Sequence, residues 1–278
     1  MANRFRSTLL SVLARACDVL LAPATLAAAA LLRAIRRAGI TRMPISRRIL
    51  RRVGVFPILN HYYEPRFDYR DLLQPLDRER HLPGIDWNEA GQLALLDSFD
   101  CAAELSALPD DDRGDGGFYY RNGNFGGGDA EYLYSLIRAR APGRLVEVGG
   151  GFSTLIAREA VARNAATRPG YACRHLCIEP FEMPWLERVQ GITVLRNRVE
   201  DVDAAVFREL GPDDILFIDS SHVLRPQGDV LFLMLQVLPQ LRPGVLIHVH
   251  DIFSPRDYPR SWLVDQVKFW NEQYLLEA

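Results

Sequence analysis

Lysine is almost absent from this sequence of 278 residues, because Lys268 is the only one and every other basic side chain except histidine is arginine. Cysteine is scarce as well. The four cysteines (Cys17, Cys101, Cys173 and Cys177) do not suggest a disulfide framework, and they are typical of a protein in a reducing compartment. Apolar residues make up 48% of the chain, which is enough for a globular core.

The sequence also lacks an uncharged run long enough for an obvious membrane span. The apolar run over residues 19–32 has fourteen residues, whereas a spanning helix needs about 20. We expect Pro23 to interrupt it. A secretory signal is not favoured, because the run is followed by Arg33-Ala-Ile-Arg-Arg37 rather than by a small-residue cleavage site.

Residues 1–52 are strongly basic, with eleven arginines and one acid, Asp18, so they carry +10 and the rest of the chain carries −12. A basic amphipathic segment is typical of helices on an anionic membrane leaflet. We therefore predict a helical arm over residues 1–55 that contacts an anionic membrane surface through residues 1–52. A helical cap with solvated arginines and a true span stay open as alternatives. Nucleic-acid binding is not expected, since Phe5 is the arm's only aromatic stacking group.

The segment that follows, residues 56–128, is predicted to be a cap or lid. It ends in three glycines, residues 126–128, which suit a hinge for a loop that closes over a ligand. An ordinary surface loop with turn residues is the alternative interpretation.

The stretch Leu145-Val-Glu-Val-Gly-Gly-Gly-Phe-Ser-Thr154 is the most informative part of the chain. It predicts a buried strand that carries Glu147, then a glycine loop, then a helix that begins near Ser153. Glycines let a backbone pass close to a ligand. The dinucleotide fingerprint needs a third glycine three positions after the second, and Thr154 stands there instead.

Four more apolar segments follow, and each predicts a strand: residues 174–179, 192–195, 214–219 and 244–251. Apolar strands that alternate with helical stretches predict a parallel sheet with helices on both faces. Ligands bind beyond the carboxyl ends of such strands. Glu147, Glu179, Asp219 and Asp251 all fall at or near that edge.

Glu147-x-Gly149-x-Gly151 resembles motif I of the class I S-adenosylmethionine (SAM) methyltransferases. Residues 215–222, 226–229 and 248–253 look like the bacterial methyltransferases grouped as family 24. The resemblance covers residues 129–260, and it places a SAM-binding core at residues 129–278. It implies an α/β fold, a Rossmann-like doubly wound sheet with helices on both faces. The family's sheet closes with two more strands, but only residues 261–278 remain here, so we expect either truncation or a sheet of five strands.

The resemblance also implies roles for particular residues. Glu147 would face the methionine end of SAM, Glu179 would accept the ribose hydroxyls, and Glu200 would lie beside the adenine. The remaining cofactor-binding residues that it implies are Gly149, Gly150, Gly151, Ser153 and Asp219.

Asp219 and Asp251 end strands that we expect to be neighbours, so their carboxylates should approach each other. A divalent cation such as Mg²⁺ would relieve their repulsion, as in the catechol-type O-methyltransferases that this pair resembles. Those enzymes have Asn where Ile252 stands here. His222 is the candidate third ligand, and a mixed His and carboxylate site favours a transition metal. Without a metal, His222 or His250 is the candidate general base.

These features predict a SAM-dependent methyltransferase that acts on oxygen in a small-molecule or glycan-type acceptor. We expect it in the cytoplasm, with a peripheral position on the inner face of the membrane. One alternative is a non-catalytic SAM- or nucleotide-binding protein recruited to the membrane surface. Another is an oxygenase that binds iron through His222, His250 and a carboxylate. The sequence predicts no oligomeric state.

Overall fold

The computed structural model describes residues 2–59, 64–66 and 69–278, with side chains from residue 11 onward except that of residue 71. The chain forms two compact units, Met1–Pro75 and Leu76–Ala278. The predicted boundaries after residues 55 and 128 divide the chain differently and stay a prediction.

The first unit begins with a long helix, α1, over Ala2–Ala38. The expectation that Pro23 interrupts it is wrong, because the helix continues through that residue. Its neighbours are mostly alanine and leucine, the strongest helix formers, which offset the missing backbone donor. Gly39 ends α1 with φ 93°. A single tight turn, Ile40–Arg42, leads into a second helix.

That second helix, α2, covers Pro44–Val53. It has proline at its first turn, where no backbone donor is needed, and Gly54 at its end with φ 80°. Both positions follow the usual preferences for starting and ending a helix.

By length and composition alone, the part of α1 over Ser11–Ala38 could cross a membrane, and none of its most apolar stretch is buried. A single such helix near an N-terminus is weak support for a span, because signal sequences have the same properties. The predicted surface position and the alternative of a span therefore both stay open.

The second unit is built on a parallel sheet, as predicted. Within the described residues the sheet has five strands in the order β3-β2-β1-β4-β5. The strands are β1 Arg144–Val148, β2 Arg174–Ile178, β3 Ile192–Leu195, β4 Ile215–Ile218 and β5 Leu246–Val249. The chain moves outward from β1 to β3 and then returns to β4, so the topological switch point lies between β1 and β4. Ligands bind at this point in doubly wound sheets.

Helices cover both faces of the sheet, which confirms the predicted fold class. The helices of the second unit are α3 Glu89–Asp97, α4 Ala102–Leu105, α5 Asp129–Arg140, α6 Phe152–Thr167, α7 Ala205–Arg208, α8 Asp229–Phe232 and α9 Glu272–Leu276. Leu145 and Phe217 pack against α5 and α6 on one face. Val146 and Leu216 pack toward α7 and the segment after α8 on the other. The alternation follows from the two-residue period of a strand.

Candidate functional site

The glycine loop and Asp219 meet where β1 and β4 end. Gly149 has φ 85°, and a Cβ added there would lie 1.8 Å from the carbonyl oxygen of Asp219. A Cβ on Gly150 would lie 2.3 Å from Sγ of Cys177. Gly151 is extended, and a Cβ added there would have no neighbour closer than the Met183 side chain at 4.0 Å. The first two glycines are therefore required by close packing, and the third is not.

Glu147 lies beneath this loop with its side chain 1% exposed. Its carboxylate accepts hydrogen bonds from the hydroxyls of Ser153 and Thr154, the latter at 2.7 Å, and lies 3.2 Å from Nε2 of His175. The carboxylate thus ties β1 to the first turn of α6. The role predicted for Glu147 at the methionine end of SAM stays a prediction.

A cavity of about 450 Å³ opens beyond the ends of β1, β2 and β4. Of the predicted cofactor-binding residues, Gly149, Glu179, Glu200 and Asp219 line it. The other four, Glu147, Gly150, Gly151 and Ser153, do not line it. Further lining residues that the sequence reasoning missed include Phe181, Arg198, Ser220, Arg225 and Asp229.

Glu179 is held in place by backbone donors. One carboxylate oxygen accepts the N–H groups of Phe181 at 2.8 Å and Glu182 at 2.7 Å. The other oxygen accepts the N–H of Gly150 at 3.3 Å. Because each carboxylate oxygen can accept two hydrogen bonds, the second oxygen can still accept a hydroxyl from a ligand in the cavity.

Asp229, at the start of α8, orders the loop after β4. Its carboxylate accepts the backbone N–H and the hydroxyl of Ser221, both at 2.7 Å. The neighbouring hydroxyl of Ser220 is buried and has no hydrogen-bond partner. A buried polar group without a partner is unusual in native proteins, so this lining residue is a candidate ligand contact. Asp229 ends the motif at residues 226–229, which was the available sequence signal.

Next to the cavity, Asp219 joins two histidines. Its Oδ1 lies 3.2 Å from Nε2 of His222 and 3.5 Å from Nδ1 of His250. Burial disfavours the charged carboxylate, but the two imidazoles outweigh burial and hold the pKa of Asp219 well below its usual range. Asp219 is therefore an anion at neutral pH.

Asp251 completes the predicted group, with its carboxylate oxygens 3.8 Å from Nε2 of His222 and 3.5 Å from Nδ1 of His250. Burial raises the pKa of Asp251, and the negative charge of Asp219 raises it further, while the histidines act in the opposite direction. The structure thus brings together all four predicted catalytic residues.

Both histidines favour the charged form. For His222, burial opposes protonation, but the carboxylates of Asp219 and Glu272 outweigh it and raise the pKa to about 9. For His250, burial is outweighed in the same way by Asp129, Asp219 and Asp251, and the pKa rises to about 10. His248, two residues before His250, has the opposite shift. Burial and the charge of His250 lower the pKa of His248 to about 4. It packs against Phe217 and Tyr132 in the core.

The structure adds Glu272, which sequence reasoning missed. Its side chain is fully buried, and Oε2 lies 2.8 Å from Nδ1 of His222. The backbone N–H groups of Asn271 and Glu272 also reach the carbonyl oxygen of His222, at 3.0 and 3.2 Å. The start of α9 is thus bound directly to the loop after β4.

Aromatic side chains in the same C-terminal segment close the other side of His222. Trp270 lies 4.1 Å from the imidazole, centroid to centroid. Nζ of Lys268, the only lysine, lies 3.6 Å from the ring centroid of Trp270 and 4.0 Å from that of Trp262. Such contacts between a cation and aromatic rings are favourable, so this cluster fixes the wall of the site.

His222 and Asp251 both have left-handed backbone conformations, with φ 59° and 58°. Residues other than glycine seldom adopt these angles, and they concentrate at functional sites where the surrounding structure holds them. The strain supports a functional role for these two residues, and their side chains lie 3.8 Å apart, from Nε2 of His222 to Oδ2 of Asp251.

The three predicted metal ligands can also converge. Asp219, His222 and Asp251 each offer one ligand atom, and these atoms lie within 4.8 Å of one another. Nδ1 of His222 is bound to a carboxylate, which is how metal-binding histidines are usually oriented. Against this, Nε2 of His222 already lies within hydrogen-bond distance of Asp219, so a cation would have to displace its proton.

Comparison with known proteins gives one family match. Residues 146–252 match the family described as "Methyltransferase domain" (Methyltransf_24). An uncharacterized protein of Archaeoglobus fulgidus is 29% identical over 175 residues, which cover 58% of this chain and 76% of that protein.

Among the solved structures that match, two resemble the chain weakly. One is a candidate protein-L-isoaspartate O-methyltransferase from Plasmodium falciparum in complex with S-adenosyl-L-homocysteine, with 12% identity and a TM-score of 0.27. The match covers 45% of this chain and 60% of that one. The other is the Podospora anserina methyltransferase PaMTH1 bound to S-adenosylhomocysteine, with 15% identity, a TM-score of 0.34, and coverage of 71% and 84%. Scores this low carry no argument about this chain.

Proposed function

We propose a reaction for this chain from the premise that it contains a class I SAM-dependent methyltransferase domain, which the family match over residues 146–252 and the five-stranded sheet support. The proposed reaction transfers a methyl group to an oxygen of a small-molecule or glycan-type acceptor. The observation that carries this proposal is the double role of Asp219, which lines the cavity and also contacts His222 and His250.

The cavity fits SAM in three respects. The Gly149 backbone passes directly beside Asp219, Glu179 has an oxygen free to accept a ribose hydroxyl, and Ser220 has a buried hydroxyl with no partner. SAM supplies an electrophilic methyl group on a positively charged sulfur. Asp219, as an anion in the cavity wall, would stabilise that positive charge.

We propose that Asp251 accepts the proton of the acceptor hydroxyl as the new oxygen–methyl bond forms and the methyl–sulfur bond breaks. Its raised pKa makes it a better proton acceptor than an ordinary aspartate. His222 and His250, the earlier candidates for this role, are cations at neutral pH before SAM binds, and a protonated imidazole cannot accept a proton. A bound sulfonium would compete for Asp219 and lower both pKa values, so a histidine base stays a second candidate.

A second cavity, of about 590 Å³, supports a glycan-type acceptor. One wall is Ser254 and Pro255, in the loop that begins at Asp251, and the other includes Trp87, Glu89 and Gln92. An aromatic ring beside carboxylate and amide groups suits a sugar ring, which has apolar faces and hydroxyl edges. Trp87→Ala should raise the KM for a sugar acceptor more than it lowers kcat.

We place the reaction in the cytoplasm, where SAM is made, with residues 1–52 at the inner face of the membrane. A divalent cation at Asp219, His222 and Asp251 is a metal-assisted form of the same proposal, supported by the convergence of their ligand atoms.

Calorimetric titration of SAM and S-adenosylhomocysteine tests the proposal. Micromolar binding should be lost in Gly149→Arg and Glu179→Ala and retained in Glu159→Ala, which removes an exposed carboxylate from α6. If the wild-type chain binds SAM, the next experiment is a screen of hydroxylated acceptors for methyl transfer. A folded protein that binds neither compound would leave the non-catalytic, nucleotide-binding alternative as the better interpretation.

A further inference from the structure

The first unit exposes apolar surface that no other described part of that unit covers. Every described side chain from residue 11 to residue 31 is exposed, and the large apolar ones in this range, such as Leu20 and Leu26, are between 53% and 79% exposed. A helix that is apolar on most faces normally lies in a protein core or in lipid. The exposed apolar turns of α1 therefore require an apolar environment.

The shorter helix α2 separates apolar and basic residues onto two faces. Ile45, Ile49 and Val53 recur every four residues and are between 56% and 72% exposed. At 100° per residue these three lie within an arc of about 80°. The four arginines occupy a separate arc, in which Arg47 and Arg51 lie opposite the apolar stripe and Arg48 and Arg52 lie along its edge. Leu50 is buried between the two faces. This is the pattern of a helix that lies in the plane of a membrane interface.

The charge of this region has one sign. Residues 33–52 contain eight arginines and no acidic residue. Arg36 is the one among them with a described acidic partner, Glu64, and it also lies 5.2 Å from the ring of Phe56. An excess of cations beside exposed apolar side chains is complementary to an anionic lipid surface, which presents phosphate groups above acyl chains.

From these observations we infer that residues 11–56 form a lipid-binding module, and that α2 is the part that recognises anionic headgroups. The apolar turns of α1 enter the acyl region. The stripe Ile45, Ile49 and Val53 lies at the boundary between headgroups and acyl chains, with the α2 arginines on phosphates. The uncharged run 19–32 is about 21 Å long as a helix, which is shorter than the ~30 Å acyl core, and this favours a surface position over a span. The inference takes its choice of leaflet from the proposed cytoplasmic location.

Vesicle sedimentation of the full chain tests this inference. One set of vesicles is phosphatidylcholine alone, and the other contains about a quarter phosphatidylglycerol; both are measured at about 0.05 M and about 0.5 M salt. The wild-type chain should prefer the anionic vesicles, and salt should weaken that preference. Each arginine near an anionic surface contributes about fivefold to partitioning, so replacing Arg47, Arg48, Arg51 and Arg52 by Gln should lower the preference roughly 100-fold or more.

Two further variants separate the parts of the surface. The matched control replaces four exposed arginines of the second unit by Gln (Arg113, Arg188, Arg208 and Arg242) and should keep the preference. Ile45→Gln, Ile49→Gln and Val53→Gln together should weaken binding to both kinds of vesicle while the preference remains. Since these side chains are exposed, no core contact is lost, and a melting curve checks each variant's fold.

The inference is overturned if the α2 arginine variant keeps the wild-type preference, or if the apolar variant binds as the wild type does. It is also overturned if the chain binds a short DNA duplex more tightly than anionic vesicles at matched ionic strength, because nucleic acid would then be the preferred polyanion. SAM titration is a separate measurement, so failure of lipid binding and failure of the proposed methyl transfer can be told apart.

Discussion

The buried carboxylate of Glu272 lies 2.8 Å from Nδ1 of His222, fifty residues away in the chain. The other nitrogen of the same imidazole lies 3.2 Å from Asp219, so His222 bridges two carboxylates. The second oxygen of Glu272 is buried and has no hydrogen-bond partner. This arrangement fixes the ring of His222 and stabilises its protonated form.

We predict that Glu272→Gln lowers the pKa of His222 from about 9 toward its ordinary value. Glutamine keeps the size of the side chain and removes the charge. Because the folded-state pKa is raised, His222 contributes stability that is fully present below pH 6.5 and is lost as the pH rises to about 9. In the variant this loss should be smaller, by roughly 1 kcal/mol or more. NMR titration of the His222 ring protons and urea unfolding at several pH values measure both effects.

Glu277→Gln is the matched control, because Glu277 belongs to the same segment but pairs with Arg80. An unchanged pKa of His222 in Glu272→Gln would show that Asp219 alone sets the charge of the imidazole.

Much of the sheet and its edge could be predicted because the signals are local. Each strand is a short apolar run, and the run Ile215–Ile218 is fully buried. Glu179, Asp219 and Asp251 were placed near the carboxyl edge because they end their segments. The parallel register of β1, β2, β4 and β5 brings that edge together. The local apolar pattern and the sheet topology agree here, so the sequence was sufficient to predict the strands and the acidic residues that follow them.

Glu272 could not be found this way, since its position depends on how the chain returns after β5. The buried Tyr258 packs against Trp262 and Trp270 and brings α9 to His222. Such packing has no periodic signature. For Glu147 the sequence indicated the residue but not its contacts. Its place in the motif was evident, but only the structure shows that Ser153 and Thr154 engage its carboxylate.

Asp219→Asn should lower the pKa values of His222 and His250 together, because both imidazoles face the same carboxylate. It should also weaken SAM binding by roughly 10- to 100-fold, since an interaction with a charged group is lost. NMR titration and calorimetry measure the two effects, with Asp97→Asn, an exposed carboxylate on α3, as the control. Full SAM affinity in Asp219→Asn would contradict the proposed contact with the sulfonium.

Two glycines of the same loop, Gly149 and Gly151, allow a direct comparison. Gly149→Ala places a methyl group 1.8 Å from the carbonyl oxygen of Asp219 at φ 85°, so the ends of β1 and β4 must separate. We expect a loss of about 2 kcal/mol or more in the free energy of unfolding, together with loss of SAM binding. Gly151→Ala meets only the Met183 side chain, at 4.0 Å, and should leave stability nearly unchanged. Equal unfolding midpoints for the two variants in urea would refute the close approach.

Metal binding at Asp219, His222 and Asp251 should depend strongly on pH. A cation that binds Nε2 of His222 must displace a proton held with a pKa of about 9. The affinity for Zn²⁺ should therefore rise about tenfold per pH unit below that value. Calorimetry on EDTA-treated protein between pH 6.5 and 8.5 measures this slope, and His222→Gln should abolish it while His81→Gln, an exposed histidine, should not. A slope near zero in the wild-type chain would mean that any bound cation uses the carboxylates alone. That result would favour a hard ion such as Mg²⁺ over a transition metal, because Mg²⁺ prefers oxygen ligands.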